Sequence, residues 1–250
     1  MSNVEGQVVV VTGGAHGIGR GIAEKFAKAG AHPVIVDYNP ETGQKTADEI
    51  TEKYGKALFV QADVSDAEAM QHVREETFKG FGRVDILILN AGIAVANKVE
   101  NISFDEWQRH LNINLTGLFN TVKVFHNDFL TNKGAIVYIS SGSALSGTGG
   151  GVSYPASKAG GEGLMRGLAK ELGPLGVNVN IVAPRLIDTG EMMRVNYPTE
   201  EALQAVLEKI PVRRYGTIED VANLAYFLAD PANSYIQGQT ILLDGGRTIA

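Results

Sequence analysis

Seven short apolar runs alternate with longer amphipathic stretches along this chain, and the alternation limits the folds that it can adopt. Several runs are apolar at nearly every position, as in strands buried on both faces of a parallel sheet. The runs predict strands at Gln7–Val11, Pro33–Val36, Ala57–Gln61, Val84–Leu89, Ala135–Ile139, Val177–Val182 and Thr240–Leu243. The stretches between them predict helices at Gly19–Ala29, Glu41–Tyr54, Ala67–Phe81, Phe104–Phe125, Tyr154–Glu171, Glu200–Glu208 and Glu219–Ala229.

Strands that alternate with helices predict an α/β fold: a Rossmann-like, doubly wound sheet of seven mainly parallel strands with helices on both faces. Crossovers between parallel strands are almost always right-handed. No linker, repeat or low-complexity tract divides the 250 residues, so we expect a single domain over residues 1–250. Because ligands bind beyond the carboxyl ends of the strands in such folds, the residues at those ends form the candidate site.

Charge and composition argue against several classes of function. The chain has 22 basic and 28 acidic residues, a net charge of −6, whereas affinity for nucleic acids comes mainly from clustered Lys and Arg. No apolar run reaches the roughly 18 residues of a membrane span, and residues 1–6 lack the features of a signal peptide. We therefore expect a cytoplasmic protein without nucleic-acid or membrane partners. The absence of Cys and the scattered positions of the 5 His predict no disulfide and no catalytic metal.

A glycine-rich turn, Thr12–Gly19, joins the first predicted strand to the first predicted helix. Glycines let the backbone approach a pyrophosphate, and a helix N-terminus offers an anion unpaired N–H groups and a partial positive charge. The spacing G-x-x-x-G-x-G differs from the commoner G-x-G-x-x-G. We interpret the segment as a dinucleotide site, with an ordinary structural turn as the alternative. Its candidate cofactor residues are Gly13, His16, Gly17, Ile18 and Gly19.

Asp37 ends the second strand, 18 residues after Gly19. A carboxylate at this place accepts hydrogen bonds from the hydroxyls of an adenosine ribose and repels a 2′-phosphate; the alternative is a solvent-exposed Asp. A pocket for NADPH would be expected to carry Arg or Lys here, but the neighbours are His16 and Tyr38. The sequence therefore favours NAD over NADP. Strands three and four are followed by further cofactor candidates, namely Asp63, Val64, Asn90, Ala91 and Gly92.

Tyr154 and Lys158 are spaced i and i+4, so their side chains share one face of a helix. A free phenol titrates near about 10 and is a poor base at neutral pH. A nearby ammonium favours phenolate, so we expect Lys158 to lower the pKa of Tyr154 and make it an acid/base for an alcohol or carbonyl. An ordinary helix pair is the alternative.

Two further polar residues favour the catalytic interpretation of this pair. Ser141 ends the fifth strand, 13 residues before Tyr154, and its hydroxyl can polarise a substrate oxygen. Asn114 lies inside the fourth predicted helix, although Asn is a mediocre helix former. We expect the Asn114 amide to hold a water that links Lys158 to bulk solvent.

Together these motifs resemble the classical short-chain dehydrogenase/reductase family over nearly the whole chain. In chain order, the resemblance is carried by Thr12–Gly19, Asp63, Asn90–Gly92, Asn114, Ser141, Tyr154, Lys158, Pro184 with Thr189, and Leu243–Gly246. It implies an NAD(P)-linked alcohol/ketone oxidoreductase, usually a homotetramer. It assigns acid/base catalysis to Tyr154, the nicotinamide ribose to Lys158 and substrate orientation to Ser141. It also places the nicotinamide carboxamide at Thr189 and at the backbone near Ile187.

Two positions depart from the family pattern. Leu89 replaces the first of two asparagines, which is a mild change because the second, Asn90, faces the cofactor. Arg185 follows Pro184 where the family usually has a glycine, and an arginine does not freely adopt a positive φ. Two interpretations of Arg185 stay open. Either it points to solvent on a rerouted loop, or it reaches the substrate pocket and pairs with a carboxylate, phosphate or sulfonate.

Two segments are expected to shape the substrate site. The first is Gly142–Val152, which we call the substrate loop, and the second is a mobile lid over about 188–211. Met192 in the lid is either an adaptable pocket wall or an ordinary core residue. The substrate candidates are Ser141, Ser143, Tyr154, Arg185 and Met192.

The sequence thus predicts an NAD-dependent oxidoreductase acting on a small polar substrate of carbohydrate metabolism or a related hydroxy compound, neutral or anionic. One alternative is a 3-oxoacyl-thioester reductase. It is less favoured because such enzymes typically use NADPH and meet an acidic carrier protein through a basic surface. A second alternative is a cofactor-binding sensor without catalysis. The joint presence of Asn114, Ser141, Tyr154 and Lys158 argues against that class.

Overall fold

The computed structural model describes residues 3–189 and 199–248. Its central sheet has seven parallel strands, namely β1 (Val8–Thr12), β2 (His32–Asp37), β3 (Leu58–Gln61), β4 (Ile86–Leu89), β5 (Ala135–Ile139), β6 (Asn178–Pro184) and β9 (Thr240–Leu243). Their order across the sheet is β3-β2-β1-β4-β5-β6-β9. Two short strands, β7 (Ile187–Asp188) and β8 (Gly216–Thr217), pair separately. The predicted doubly wound sheet is confirmed.

Helices cover both faces of the sheet. They are α1 (Gly17–Lys28), α2 (Pro40–Tyr54), α3 (Ala67–Phe81), α4 (Phe104–Leu111), α5 (Gly117–Asn132), α6 (Ser143–Ser146), α7 (Ser153–Leu172), α8 (Glu200–Leu207) and α9 (Ile218–Ala229). Side chains along a strand point to alternate faces. Val8 and Val10 of β1 accordingly pack in the core beneath α3, α5 and α7, whereas Val9 and Val11 pack in the core beneath α1, α2 and α9. Within the described residues, no helix has the length and apolarity needed to cross a membrane.

The predicted continuous helix over Phe104–Phe125 is interrupted in the structure. A π-helical turn over Asn112–Thr116 separates α4 from α5, and α5 runs on to Asn132. Asn114, in the middle of this turn, is fully buried. Single π turns inside helices are frequent at functional sites. We therefore interpret the interruption as a result of the buried contacts of Asn114 and not of its helix propensity.

A glycine lets α7 approach the central strand β5 closely. A Cβ built on Gly161 would lie 2.6 Å from the Tyr138 hydroxyl of β5. This close approach places the first two turns of α7 over the carboxyl end of β5. Tyr154 and Lys158 lie in these two turns, so the packing brings them to the sheet edge that the fold reserves for ligands.

Part of the predicted lid is described. The segment enters through β7 and returns through α8 to the turn at Ile210, which is buried. Residues 190–198, with the substrate candidate Met192, lie outside the described residues, so the role expected of Met192 stays a prediction.

A capping box fixes the start of α9. The Asp220 amide donates to Thr217 Oγ1 at 3.1 Å, and the Thr217 amide donates to Asp220 Oδ2 at 2.8 Å. Arg214 donates two hydrogen bonds to the same carboxylate, at 2.6 and 3.1 Å. The hydrogen bond from Arg214 is the main reason why the pKa of Asp220 is lowered to about 2.

Asp220→Asn should therefore lower the free energy of unfolding by up to about 1 kcal/mol at neutral pH, because the amide can still accept from Thr217 but loses the charge that pairs with Arg214 and favours the helix N-terminus. The folded-state pKa of about 2 lies below the ordinary value of 3.8. The stability that Asp220 contributes is thus fully present above pH 3.8 and is lost as the pH falls towards 2. Urea unfolding at neutral pH and at about pH 3 measures this dependence. Glu219→Gln, an exposed change in the same helical turn, is the control. A difference between wild type and Asp220→Asn that does not shrink at the lower pH contradicts the assignment.

Candidate active site

A cavity of about 570 Å³ opens at the carboxyl ends of β1, β2, β3 and β4. Its wall includes many of the residues predicted to bind a cofactor, namely Gly13, His16, Asp37, Tyr38, Asp63, Val64, Ala91 and Gly92. The strand order reverses between β1 and β4, and such a reversal is where doubly wound sheets bind dinucleotides. The structure thus brings these predicted residues together at the expected edge.

The glycines of the turn before α1 have different structural roles. A Cβ on Gly19 would lie 2.1 Å from the Gly13 carbonyl oxygen, and a Cβ on Gly13 would lie 2.9 Å from Ala91 Cα. These two glycines let the turn pack tightly on itself and on the end of β4. Gly17 has a φ of +54°, and no described atom lies within 4 Å of a Cβ built there. Ile18 packs partly against the core.

The start of α1 suits a bound anion. His16 precedes the helix, and its side chain makes no capping hydrogen bond with the first turn. The first N–H groups of a helix have no acceptor within the helix, and an anion is attracted to them. The tight glycine turn, the open space at Gly17 and this helix start fit a pyrophosphate.

Asp37 is held in a fixed orientation at the cavity wall. Its carboxylate accepts hydrogen bonds from the Ala15 and Asn39 amides, each at 3.1 Å, and the residue is 9% exposed. Each carboxylate oxygen has a second acceptor site, so Asp37 can still accept from sugar hydroxyls. His16 Nδ1 lies 4.0 Å from Asp37 Oδ2.

Asn90 braces the glycine-rich turn. Its side-chain amide donates to the carbonyl oxygens of Thr12 and Gly13, at 3.1 and 2.9 Å. The Asn90 contacts that the structure shows therefore position the turn, and the expected role of Asn90 in facing the cofactor stays a prediction. The carbonyls of Thr12 and Gly13 fix the end of β1 against the end of β4.

Lys158 is almost fully buried, with 4% of its surface exposed. Its ammonium donates a hydrogen bond to the Ile139 carbonyl oxygen at 2.9 Å. The Lys158 nitrogen lies 5.1 Å from the centre of the Tyr138 ring and 5.8 Å from the centre of the Tyr154 ring. Burial disfavours the charged form and lowers the pKa of Lys158 to about 8.

The pKa of Tyr154 is raised, so the expected lowering by Lys158 was wrong. Burial raises it, and a side-chain hydrogen bond with Ser141 opposes the rise only in part. The Lys158 amine is engaged by Ile139, and its own charged form is disfavoured. Tyr154 is therefore a protonated phenol at neutral pH, and its contact with Ser141 shows that the structure brings these two residues together.

The side-chain N–H groups of Asn114 both donate hydrogen bonds to protein acceptors. Its Nδ2 donates to the Ile93 carbonyl oxygen and to Ser157 Oγ, each at 2.9 Å, and its Oδ1 accepts from the Ile93 amide at 2.8 Å. One acceptor site of Oδ1 remains. A Cβ built on Gly92 would lie 3.2 Å from this oxygen and 3.3 Å from the Lys158 nitrogen. The expected relay water thus has Oδ1 as its acceptor, and the relay itself stays a prediction.

The remaining candidates lie along the chain that leaves β6. Pro184 is buried at the end of β6, Ile187 is half-buried in β7, and Thr189 is half-buried next to the undescribed segment. Ser143 begins α6, and its amide donates to Ser141 Oγ at 3.2 Å. Their contacts with cofactor or substrate stay predictions.

The contacts of Arg185 do not fit the first of its two interpretations, in which the side chain points to solvent. Its guanidinium does not simply point to solvent, since it donates to Thr248 Oγ1 and to Thr148 Oγ1, each at 3.1 Å. The positive φ falls on the next residue, Leu186, at +57°. A route of the loop that differs from the family's, and pairing of Arg185 with a substrate anion, stay predictions.

Sequence reasoning missed the wall that α4 and the following π turn contribute to the cavity. Asp105, Gln108, Arg109 and Asn112 all line it. Their spacing of three, four and seven residues puts them on one helical face, a signal that could have been found in the sequence. Among the described residues, no group of three or more His, Asp or Glu side chains is arranged to hold a metal ion.

Comparison with known proteins agrees with this geometry. A family model described as enoyl-(acyl carrier protein) reductase matches residues 4–248. The chain is 39% identical to a 3-oxoacyl-[acyl-carrier-protein] reductase of Aquifex aeolicus, with 97% of this chain and 98% of the relative covered. It is 36% identical to a (2S)-[(R)-hydroxy(phenyl)methyl]succinyl-CoA dehydrogenase subunit of Thauera aromatica, with 98% of both chains covered.

A solved structure with bound NADP, a putative NAD(P)-dependent gluconate 5-dehydrogenase of Beutenbergia cavernae, superposes with a TM-score of 0.91. It is 35% identical and covers 99% of this chain and 98% of its own. The doubly wound sheet and the cavity at its switch point define an oxidoreductase of the nicotinamide-dependent class. The full-length matches identify the family: the chain belongs to the short-chain dehydrogenases/reductases.

Lys158→Met should make the stability of the cofactor-free protein depend differently on pH. The pKa of Lys158 is about 8 in the folded chain and 10.5 ordinarily, so folding disfavours the ammonium. That cost is fully present below pH 8 and disappears as the pH rises to 10.5. The free energy of unfolding of the wild type, relative to Lys158→Met, should therefore increase over this range.

Denaturant unfolding at neutral pH and at about pH 10 measures the difference in unfolding free energy between the wild type and Lys158→Met. Lys170→Met changes an exposed lysine of the same helix and serves as the control, with no change expected between the two conditions. A Lys158→Met difference that is independent of pH would show that the burial of the ammonium is not costly.

Proposed function

We propose that the protein is an NAD-dependent oxidoreductase that interconverts a secondary alcohol and a ketone on a small polar substrate, such as a sugar, polyol or other hydroxy compound, neutral or anionic. The observation that carries this proposal is the hydrogen-bonded pair of Ser141 and Tyr154 beside the buried Lys158. The Lys158 nitrogen borders Gly92, which belongs to the wall of the cavity. The proton-transfer group and the cofactor cavity are thus neighbours.

A nicotinamide supplies or accepts the hydride when it is bound, and the chain's own residues manage the proton. In reduction, the protonated Tyr154 donates its proton to the substrate oxygen while that oxygen gains negative charge. Ser141 hydrogen-bonds the same oxygen and holds it beside the phenol. In oxidation, Tyr154 acts as its phenolate, which forms when a water on Asn114 Oδ1 passes the phenol proton outward and which the Lys158 ammonium stabilises. This phenolate then accepts the proton of the substrate hydroxyl.

The remaining contacts with the cofactor in this proposal are those that the family resemblance implies. Lys158 also binds the nicotinamide ribose in this proposal. Thr189 and the backbone at Ile187 hold the carboxamide, with buried Pro184 fixing the direction of the chain. The turn at Gly17 holds the pyrophosphate.

The preference for NAD rests on Asp37. Its carboxylate is held rigidly by two backbone amides, so it cannot swing away from a 2′-phosphate without losing both hydrogen bonds. The described wall of the cavity contains two side chains that can carry positive charge, His16 and Arg109. The Beutenbergia cavernae neighbour binds NADP, so the preference needs a direct test.

A 3-oxoacyl thioester is the second candidate substrate. The Aquifex aeolicus and Thauera aromatica relatives act on acyl-carrier-protein and CoA thioesters, respectively. In this chain an open groove of about 660 Å³ beside the lid is lined by Lys209, Arg213 and Arg247, with Glu208 as the one acidic residue among its described lining residues. Cations at this place suit the phosphate groups of such carriers. A substrate survey must therefore include a thioester.

The homotetramer that the family resemblance implies remains part of the proposal. Large apolar side chains are exposed on the helices on either side of the π turn, with Phe104 at 92% and Phe119 at 53%. Gly163 and Gly167 of α7 have no described atom within 4 Å of a built Cβ. Apolar surface and small residues of this kind permit close packing of helices from other subunits.

Turnover is tested by following NADH absorbance over a panel of sugars, polyols, hydroxy acids and acetoacetyl-CoA. Tyr154→Phe should reduce kcat by about 10²–10⁴-fold on any active substrate, because it removes the proton carrier. Tyr154 is also one of the residues that we expected to contact the cofactor, but the dissociation constant of NAD should stay near normal because the other proposed cofactor residues remain. Tyr54→Phe, an exposed change at the end of α2, is the control. A Tyr154→Phe protein that keeps most of its activity refutes the mechanism, and a wild type that binds NAD but acts on nothing favours the sensor class.

Asp37→Asn should raise the ratio of kcat/KM with NADP to kcat/KM with NAD by about tenfold or more. The substitution keeps the shape and one acceptor oxygen but removes the charge that repels a 2′-phosphate. Initial rates with each cofactor give the ratio, and calorimetry gives the two dissociation constants. Asp48→Asn removes an equal charge from an exposed position of α2 and should leave the ratio unchanged. If both substitutions alter the ratio equally, Asp37 does not set the preference.

A further inference from the structure

Arg185 connects two segments that are distant in sequence. Its guanidinium donates one hydrogen bond to Thr148 of the substrate loop and one to Thr248 near the end of the described chain, each at 3.1 Å. Its aliphatic stem packs on Gly142, since a Cβ built on that glycine would lie 3.0 Å from Arg185 Cβ and 3.1 Å from Arg185 Cδ. The side chain therefore touches the substrate loop both at its start and at its middle.

The substrate loop has little intrinsic rigidity. Gly149, Gly150 and Gly151 follow one another with φ values of +82°, +74° and +63°, and glycine loses more backbone freedom on ordering than any other residue. Yet this backbone packs directly on the proposed proton carrier: a Cβ on Gly150 would lie 2.8 Å from Tyr154 Cβ. The position of the Thr148 hydroxyl, two residues earlier, thus bears on how the loop covers Tyr154.

The other end of the connection is firmly held. Asp244 accepts hydrogen bonds from the Gly246 and Thr248 amides, at 2.9 and 2.7 Å, which closes the turn 244–248 directly after β9. Burial alone would raise the pKa of Asp244, but the hydrogen bonds from Thr248 and Gly246 and the nearby Arg185 charge lower it. The Arg185 amide also donates to the Leu243 carbonyl oxygen at 3.0 Å. The turn is therefore an anchor fixed to the edge of the sheet.

We propose that Arg185 is a positioning residue that clamps the substrate loop to the turn 244–248 and so holds Ser141 and Tyr154 at a fixed separation. The planar guanidinium presents donors in two directions and can span two hydroxyls, which a lysine ammonium matches poorly. The clamp goes beyond the proposed function, and it rests on that function only for its kinetic readout.

The loop is tested without any substrate. In Arg185→Met, amide hydrogen exchange in 147–152 should become about tenfold faster or more, because a charge-assisted hydrogen bond that closes the loop is lost. Thr148→Val, which removes the acceptor hydroxyl and keeps the branched shape, should have the same effect. Thr148→Val also removes the contact of Thr148 Oγ1 with Ser146 Oγ at 2.9 Å. The double variant should therefore exchange no faster than Thr148→Val alone, because Arg185→Met breaks no further hydrogen bond of the loop. Arg166→Met, an arginine paired within its own helix, is the control and should leave exchange in 147–152 unchanged.

The kinetic arm separates a clamp from an anion site. In Arg185→Met, kcat should fall by about tenfold on neutral and on carboxylate-bearing substrates alike, with the dissociation constant of NAD unchanged. Arg185→Lys should recover part of the loss, since it retains one donor contact. A rise in KM confined to anionic substrates, with normal loop exchange, overturns the clamp and assigns Arg185 to substrate binding.

Unchanged exchange in 147–152 of Arg185→Met, or additive effects in the double variant, also overturns the clamp. Failure of the proposed function has a different signature: the wild type is inactive on every substrate, while the exchange measurements still decide whether Arg185 holds the loop.

Discussion

The hydrogen bond from the Lys158 ammonium to the Ile139 carbonyl is the interaction on which the geometry of the site depends. It joins α7 to the last residue of β5, and the close approach at Gly161 keeps the helix there. Lys158 is buried, and half-buried Tyr154 lies beside it. Because burial opposes both charged forms, the pKa of Lys158 falls and that of Tyr154 rises. The neutral state of the phenol at ordinary pH is thus a consequence of packing.

The proposed proton carrier and the proposed cofactor cavity lie side by side because the ends of neighbouring strands converge. The cavity wall at Gly92 follows β4, Ser141 follows β5, and the π turn directs Asn114 at Ile93 and at Ser157 of α7. The Asn114 amide in this turn is hydrogen-bonded to the backbone of Ile93, just after β4, and to Ser157 of α7. The turn that leads into α5 is therefore joined to α7 and to the end of β4 at one residue. The Asn114 contacts therefore give the two halves of the site a common support, independent of any role in passing protons.

The sequence was sufficient for the sheet and for the part of the cavity wall that directly follows the strands, because local patterns determine both. Strand ends are marked where apolar runs stop, and parallel strands bring those ends to one edge. The π turn, the bracing role of Asn90 and the direction of the Tyr154 pKa were missed. Each of these depends on contacts between residues far apart in the chain, such as Asn90 with Thr12 or α7 with β5. The spacing of the two residues within one helix predicted that Lys158 would lower the pKa of Tyr154. Burial has the larger effect on that pKa, and the spacing carries no information about burial.

The arginine at position 185 shows how a single departure from a family pattern is accommodated. An arginine avoids positive φ, and the left-handed conformation of this segment lies at Leu186, where it costs a non-glycine residue about 1–2 kcal/mol. The backbone around it is held in compensation: the Leu186 carbonyl accepts from the Gly216 amide at 3.1 Å, and Ile187 pairs with β8. The freed side chain then reaches Thr148 and Thr248, which a glycine could not do. Through these two contacts, Arg185 attaches the glycine-rich substrate loop to the turn at the end of the sheet. Because the same loop packs on Tyr154, the proposed clamp connects the residue at position 185 to the placement of the loop on Tyr154.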